Sequence, residues 1–342
     1  MNSFDVQHPI CVVGLGLIGG SLLRDLAARE HPVYGYNHST SGARTAIKEG
    51  FDVTDDLPGV LQRAEEDRAL LVVAVPVHAV ADVLDAIDQH APHCGITDVV
   101  SVKSVVYEEV KKRGLHTRYV GGHPMAVSPK AGWRNSRKDL FVRKAWAITY
   151  DYALEQEEAG ERIEQTWIDT FAEVVRMTGM VRAEAVPARV ENHDAAVARV
   201  SHLPQILAEV LSMVGDNGGI LAQSLTAGPF HDATRAAGTT PKIVREGCES
   251  NAAALVDALD ETLSYLQETR DNLASAAPTI GELADIGHRA RTRIEARSGA
   301  RKDSVSPIKI SSRPVLRLQP GGHGWVAQLK QTESIGGRIE IF

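Results

Sequence analysis

Short apolar runs closed by glycine or proline recur along the first half of the chain, at residues 10–13, 33–36, 70–75, 95–100, 119–121 and 145–150. They are too short for buried helices and rich in Val and Ile, so they read as strands covered on both faces. Between them lie segments with apolar residues at three-four spacing, such as 21–30, which read as helices. This alternation, continuing to about residue 186, predicts a doubly wound α/β sheet. Pro76 and Pro92 mark the ends of units. The acidic stretch 151–164 reads as a solvated loop and helix start with no role beyond solubility.

The pattern changes near Pro187, where the strand signal stops. Val200, Leu203, Leu207, Val210 and Val214 repeat at helical spacing, which predicts one long helix capped by Asn192, ended by Gly215 and kinked at Pro204. Thr240-Pro241 predicts the start of a second helix, with Leu255, Leu259, Leu263 and Leu266 on one face. Such faces read as core or subunit interface, and a homodimer through this region is expected. Beyond Arg297, residues 307–311, 314–318 and 325–329 read as short strands, with Pro320-Gly321-Gly322 as a turn.

The first apolar run breaks into Gly14-Leu15-Gly16-Leu17-Ile18-Gly19. In a strand-turn-helix context this is a dinucleotide fingerprint. Gly14 allows the tight turn, Gly16 lets the backbone approach a pyrophosphate, and Gly19 lets helix pack on strand, while the N–H groups at the helix N-terminus receive the phosphates. Leu17 and Ile18, between Gly16 and Gly19 just before the helix at 21–30, are candidate cofactor contacts. Val75, which ends the run at 70–75, and Pro76 after it are further candidate cofactor contacts. At the end of the second strand Asn37 stands where an NAD enzyme usually carries an acid for the ribose hydroxyls. With Ser39 and Arg44 nearby, NADP is favoured over NAD. The expected organisation is an α/β Rossmann domain over 1–187, an all-α substrate and dimerisation domain over 188–298, and a short β-rich tail over 299–342 with no assigned role.

Bulk properties narrow the partner. A formal charge of −7 over 342 residues argues against nucleic acid and leaves a small-molecule substrate. Cys11, Cys94 and Cys248 are far apart and form no CxxC pair, so neither a metal site nor a disulfide framework is expected. No leader pattern and no membrane-length apolar run is found, and the expected location is cytoplasmic.

Polar groups at predicted strand ends carry the candidate chemistry. Ser101 follows the run at 95–100 and His123 follows the run at 119–121, at the sheet edge where open α/β folds bind ligands. His123 is the candidate general base. Ser101 would orient it or touch the nicotinamide end, and also reads as the N-cap of a helix over 103–113. In the helical region, Ser201-His202-Leu203-Pro204 and Asp232-Ala233-Thr234-Arg235 stand out, Arg235 having the planar fork that clamps a carboxylate.

Together with Gly122-His123-Pro124-Met125-Ala126 and Ser101-Val102-Lys103, these motifs resemble, in order and spacing, the prephenate/arogenate dehydrogenase family of tyrosine biosynthesis, closest to its actinobacterial-type members. The likeness covers roughly residues 8 to 298. It implies a Rossmann domain, a dimerising helical domain, an active site in the cleft between them, and oxidative decarboxylation of prephenate or arogenate. His123 would take the substrate hydroxyl proton, Arg235 would hold a carboxylate, and His202 would line the pocket. Three positions depart from the family pattern, one of them Ala131, which precedes Gly132 where the family has a Ser-Gly pair. Val127 replaces a glycine beside the catalytic loop, and Gln205 stands where many relatives carry a second histidine. All three bear on the substrate, which leaves arogenate or a 4-amino ring analogue as alternatives. The related β-hydroxyacid dehydrogenases and imine reductases rely on a lysine in the helical region, and residues 192–215 contain none. A catalytically silent nucleotide sensor is the reading of another class.

Overall fold

The computed structural model describes residues 6–126, 132–297 and 313–342, so Val127, Ala131 and the strand expected at 307–311 lie outside the described residues. Strands β1 (Ile10–Val13), β2 (Val33–Tyr36), β3 (Val53–Thr54), β4 (Leu70–Val73), β5 (Ile96–Asp98) and β6 (Tyr119–Val120) form one parallel sheet in the order β3-β2-β1-β4-β5-β6. Helices α1 (Leu17–Ala27), α2 (Thr40–Lys48), α3 (Leu57–Asp67), α4 (Val80–His90) and α5 (Lys103–Lys112) connect them. Every residue of β1 and β4 is buried, which explains why these strands are unbroken apolar runs. The chain reverses its direction of travel across the sheet between β1 and β4. The carboxyl ends of strands at such a reversal border the crevice where ligands bind.

Residues 145–150, expected in this sheet, belong to a second one. In it β8 (Ala145–Thr149) pairs antiparallel with β7 (Gly122–Pro124) and parallel with β9 (Glu184–Ala188). Helices α6 (Asp151–Ala159) and α7 (Gln165–Met180) separate β8 from β9, and α8 (Val190–Val197) follows. The acidic stretch is therefore not merely solvated. Tyr152, Ala153 and Leu154 are buried, and both oxygens of Asp151 accept the Val190 N–H at the start of α8, at 3.0 and 3.1 Å. Nor does Asn192 cap a helix: it lies inside α8, which begins two residues earlier.

Burial pushes the Asp151 carboxyl up to about 6, helped by nearby Glu155 and Glu333 and opposed by the Val190 N–H. Between its ordinary value and about 6 the folded state holds a proton that the unfolded chain has released, so stability falls as pH rises through that window. Asp151→Asn keeps an acceptor for Val190 and removes the ionisation. The variant should gain on the order of 2–3 kcal/mol relative to the parent between about pH 4 and about pH 7.5 in denaturant unfolding. A difference that does not change with pH would refute this.

The chain divides into two compact units, one of Met1–Asp194, Gly238–Ser250 and Val315–Phe342, the other of Ala195–Ala237 and Asn251–Pro314. Past α8 the expected long helix is interrupted by a π-helical turn, Ala198–His202, and resumes as α9 (Leu203–Asn217) with Pro204 in its first turn. Proline lacks the N–H that would continue the ladder, and the wider turn takes up the mismatch. Gly215 is inside α9 rather than at its end. Helices α10 (Gly219–Ser224) and α11 (Gly228–Thr234) follow, then α12 (Pro241–Ser250), α13 (Ala252–Leu273) and α14 (Gly281–Arg297). The single helix expected from Thr240-Pro241 is thus two, broken at Asn251. Leu255 is buried, whereas Leu263 and Leu266 are more than half exposed.

The C-terminal segment is a β-α-β unit: β10 (Val315–Leu318), α15 (Trp325–Ser334) and β11 (Arg338–Ile341), the two strands parallel. Residues 325–329, expected as a strand, open the helix, while the turn at Pro320-Gly321-Gly322 is present, with the Gly322 N–H donating to the Gln319 carbonyl at 3.0 Å. Trp325 packs against both Trp167 and Phe171, at 6.0 and 5.5 Å between ring centroids. Leu318, Val326, Leu329, Ile339 and Ile341 join the same core.

Candidate active site

The glycine-rich turn has the form the fingerprint predicts. Gly14 sits at φ +106°, and a Cβ there would come within 2.5 Å of the Ala74 carbonyl oxygen and 2.9 Å of the Val75 side chain. A Cβ on Gly19 would lie 2.0 Å from the Gly14 carbonyl oxygen. Gly16 differs, since a Cβ on it would meet nothing within 4 Å. It precedes α1, which has no side-chain cap and no acidic residue in its first turn, and Leu17 and Ile18 are that turn's first residues. Open space beside uncapped N–H groups fits an anionic pyrophosphate. Pro76 precedes a short 3-10 turn, Val77–Ala79, just past β4.

At the end of β2, Asn37 is buried. Its side-chain oxygen accepts the Ser39 N–H at 3.0 Å, and its amide donates to the Leu15 carbonyl at 3.5 Å, tying the strand end to the glycine turn. Ser39 caps α2, its hydroxyl accepting the Gly42 N–H at 3.2 Å. Arg44 is exposed on the same helix. The last residue of β2, Tyr36, and the one after it, Asn37, are uncharged, while the Asp55 carboxylate, after β3, acts on the Tyr36 hydroxyl.

His123 lies within β7, opposite Ala147, not in a loop. Its Nδ1 is 2.9 Å from Nε2 of His193, whose Nδ1 is 2.7 Å from Oδ1 of Asp194. A carboxylate can only accept, so His193 donates from Nδ1. With both rings neutral, His193 then presents a lone pair at Nε2, His123 donates to it from Nδ1, and the lone pair of His123 resides on Nε2. Asp194 also accepts the N–H groups of Lys103 and Ser104, each at 2.8 Å. Burial would raise its carboxyl, but the bonds from His193, Lys103 and Ser104 outweigh this and hold it at about 2. Asp194 thus caps α5. Ser101 was expected in that role, but the helix starts after Val102 without a side-chain cap from its own segment, and Ser101 is half-buried just before it.

Beneath His123 lies a buried ion pair. Lys103 is fully buried and its Nζ donates to Asp98 and, at 2.8 Å, to the carbonyl of Gly122. Asp98 also accepts the Tyr119 hydroxyl at 2.5 Å and the Val100 N–H at 2.7 Å. Burial lowers the Lys103 ammonium's pKa, against the pull of Asp98, and burial beside Asp98 keeps Tyr119 protonated. The peptide before His123 is therefore held by charge as well as by β pairing.

His202, Gln205 and Arg235 are in the other unit. His202 is buried at the end of the π turn, its Nδ1 3.2 Å from the side-chain amide of Asn251. Gln205 donates to Glu209 at 3.0 Å and to the Ala236 carbonyl at 2.8 Å, so it is tied to the 3-10 turn that Arg235 opens. Arg235 is exposed and has no ion pair among the described residues, contrary to the surface salt bridge an isolated arginine suggests. The reading of the sequence passed over His193, Asp194 and Asp98, and gave Lys103 no role beyond its place in the Ser101-Val102-Lys103 motif. Its one local signal was the His-Asp pair one turn into a helix. No described cluster of His, Cys, Asp and Glu could hold a metal, and no described helix is long and apolar enough to cross a membrane.

Residues 21–176 match the family model for the prephenate dehydrogenase nucleotide-binding domain, and residues 189–286 match that for the prephenate dehydrogenase dimerization domain. A crystal structure of a candidate prephenate dehydrogenase from Corynebacterium glutamicum is 52% identical, with a TM-score of 0.91, covering 99% of this chain and 100% of that one. The prephenate dehydrogenase of Bacillus subtilis is 29% identical over 279 residues, 78% of this chain and 70% of the relative. A cyclohexadienyl dehydrogenase of Zymomonas mobilis is also 29% identical, over 78% of this chain and 88% of its own length.

Proposed function

The chain belongs to the prephenate dehydrogenase family, and on that premise we propose that it converts prephenate to 4-hydroxyphenylpyruvate by NADP-dependent oxidative decarboxylation, in the tyrosine pathway and in the cytoplasm. The observation that carries this reading is the hydrogen-bonded run from His123 through His193 to Asp194, which leaves a basic nitrogen on His123. The turn at Gly14, Gly16 and Gly19, with the first N–H groups of α1, holds the pyrophosphate, and Val75 and Pro76 flank it. The bound nicotinamide supplies the hydride acceptor for C4 of the substrate ring.

His123 Nε2 takes the proton of the C4 hydroxyl as the carbonyl forms. The resulting imidazolium charge is met through His193 by the Asp194 carboxylate, which stays ionised throughout. Loss of carbon dioxide from C1 makes the ring aromatic and leaves an oxyanion, to which His123 returns its proton, so the residue ends as it began. Ser101 positions the reacting hydroxyl, Arg235 clamps a substrate carboxylate, and His202 lines the pocket with Gln205 beside it. The domain limits that go with this reading are 1–187, 188–298 and 299–342. The helical domain joins two copies through apolar residues such as Met213, Val214 and Leu263, which are more than half exposed in the single chain.

The test is an absorbance assay for reduced nicotinamide that crosses prephenate and arogenate with NADP and NAD. Turnover is expected to be greatest with prephenate and NADP. Greater turnover with arogenate would move the substrate assignment, and silence in all four combinations would sink it. Asn37→Asp, which sets a charge against the 2′-phosphate, should lower kcat/KM for NADP by about tenfold, one like-charge contact of roughly 1.4 kcal/mol, and should raise NAD use. An unchanged NADP-to-NAD ratio in that variant would locate cofactor choice elsewhere.

A further inference from the structure

We propose that Glu333, in the C-terminal β-α-β unit, is a positioning residue for the active site, holding α8 so that His193 and Asp194 stay in line with His123. The inference rests on the base assignment above. Four donors converge on this one carboxylate. Oε1 accepts the Arg189 N–H at 2.9 Å and the Asn192 amide at 2.8 Å, while Oε2 accepts the Arg189 Nε at 3.1 Å and the Tyr150 hydroxyl. Burial would raise the Glu333 carboxyl, but the hydrogen bonds and the Arg189 charge win and hold it below the usual carboxylate range.

Three of those donors belong to residues at the first turn of α8 or just before it. An anion at a helix N-terminus satisfies N–H groups that have no partner inside the helix. The consequence reaches His123 because Asn192, His193 and Asp194 are consecutive. Asn192 is fixed by Glu333, His193 meets His123, and Asp194 is pinned to the N–H groups of Lys103 and Ser104. Glu333 is in turn fixed by packing, since α15 buries Trp325, Val326, Leu329 and Thr332 on the face that continues to Glu333. The hydrogen bonds across His123 and His193 tolerate little displacement, because such bonds weaken steeply as their angle closes. On this account the tail acts on the reaction without reaching the substrate.

The experiment uses the full chain carrying Glu333→Gln, which keeps the shape and one acceptor oxygen, turns the other acceptor into a donor and removes the charge. Arg317→Gln is the control, because Arg317 pairs with Glu340 in the same tail, exposed and remote from α8. Glu333→Gln is expected to lower kcat about tenfold, a part of the roughly 10²–10⁴-fold a positioned base supplies, with KM for the cofactor unchanged. The acid limb of kcat/KM should move to lower pH, because the imidazolium of His123 loses part of its link to an anion. Combined with His193→Gln, the change should add nothing further, since both act through one link. The imidazole nitrogen resonances of His193 should shift in Glu333→Gln and not in Arg317→Gln. That readout needs no turnover, so it decides the role of Glu333 even if the parent enzyme fails to oxidise either substrate, an outcome that would overturn only the functional reading. Unchanged His193 resonances, or a rate loss fully additive with that of His193→Gln, would overturn the proposal.

Discussion

Replacing His123 by asparagine should reduce kcat by about 10³-fold while leaving the affinity for NADP within about twofold of the parent. Asparagine can still donate to Nε2 of His193, so the local hydrogen bond survives and the lost group is the basic nitrogen alone. The parent should also lose kcat/KM as pH falls, because protonation of His123 removes the lone pair that accepts the hydroxyl proton. The variant's small remaining rate should lack that limb. Steady-state rates across pH, with a separate fluorescence titration of NADP, check both parts. A variant that keeps a tenth or more of the rate would place the base on another residue.

The second large effect concerns stability. Lys103→Met fills nearly the same volume but strands Asp98 as a buried carboxylate without its counter-charge, which should cost about 3–5 kcal/mol in denaturant unfolding. Asp98→Asn in the same chain removes the second charge, keeps one acceptor oxygen for the Val100 N–H and offers its amide N–H to the Tyr119 hydroxyl oxygen. The double variant should recover about 2 kcal/mol of the loss. The comparison separates a stranded charge from a simple loss of packing. Equal stability in the single and double variants would show that the pair is not what holds this corner together.

The parallel sheet was legible because its strands are covered on both faces and so announce themselves as apolar runs. Strand β3 is Val-Thr and β7 is Gly-His-Pro, and neither forms an apolar run that could register. Position 325 misled for another reason. Trp and Val at 325 and 326 favour a strand by type, and only packing against the stacked Trp167 and Phe171 rings selects the helix that buries Trp325, Val326 and Leu329 on one face. His123 could be singled out because it follows a strand at the ligand edge of the sheet. Its partner could not, since His193 is 70 residues further on and a His-Asp pair on a helix reads as a solvated face. The same holds for the cap of α5. Serine at 101 has the right chemistry and the right position, yet the carboxylate that takes the role is Asp194, 91 residues beyond the Lys103 N–H that it accepts.

The division of the polypeptide also sets a timetable for its synthesis. The unit that carries His123 is closed by Val315–Phe342, and the residues that cover Trp167 and Phe171 are made only after the intervening helical unit. A ribosome adding about 5–20 residues per second needs roughly ten to thirty seconds to cover the approximately 150 residues from Phe171 to Trp325. For that interval the nascent chain carries an indole and a phenyl ring whose permanent cover has not yet been translated. A chaperone that recognises exposed aromatic surface has its natural opening there, and a ribosome stalled within the helical unit leaves behind a chain unable to seal its own core.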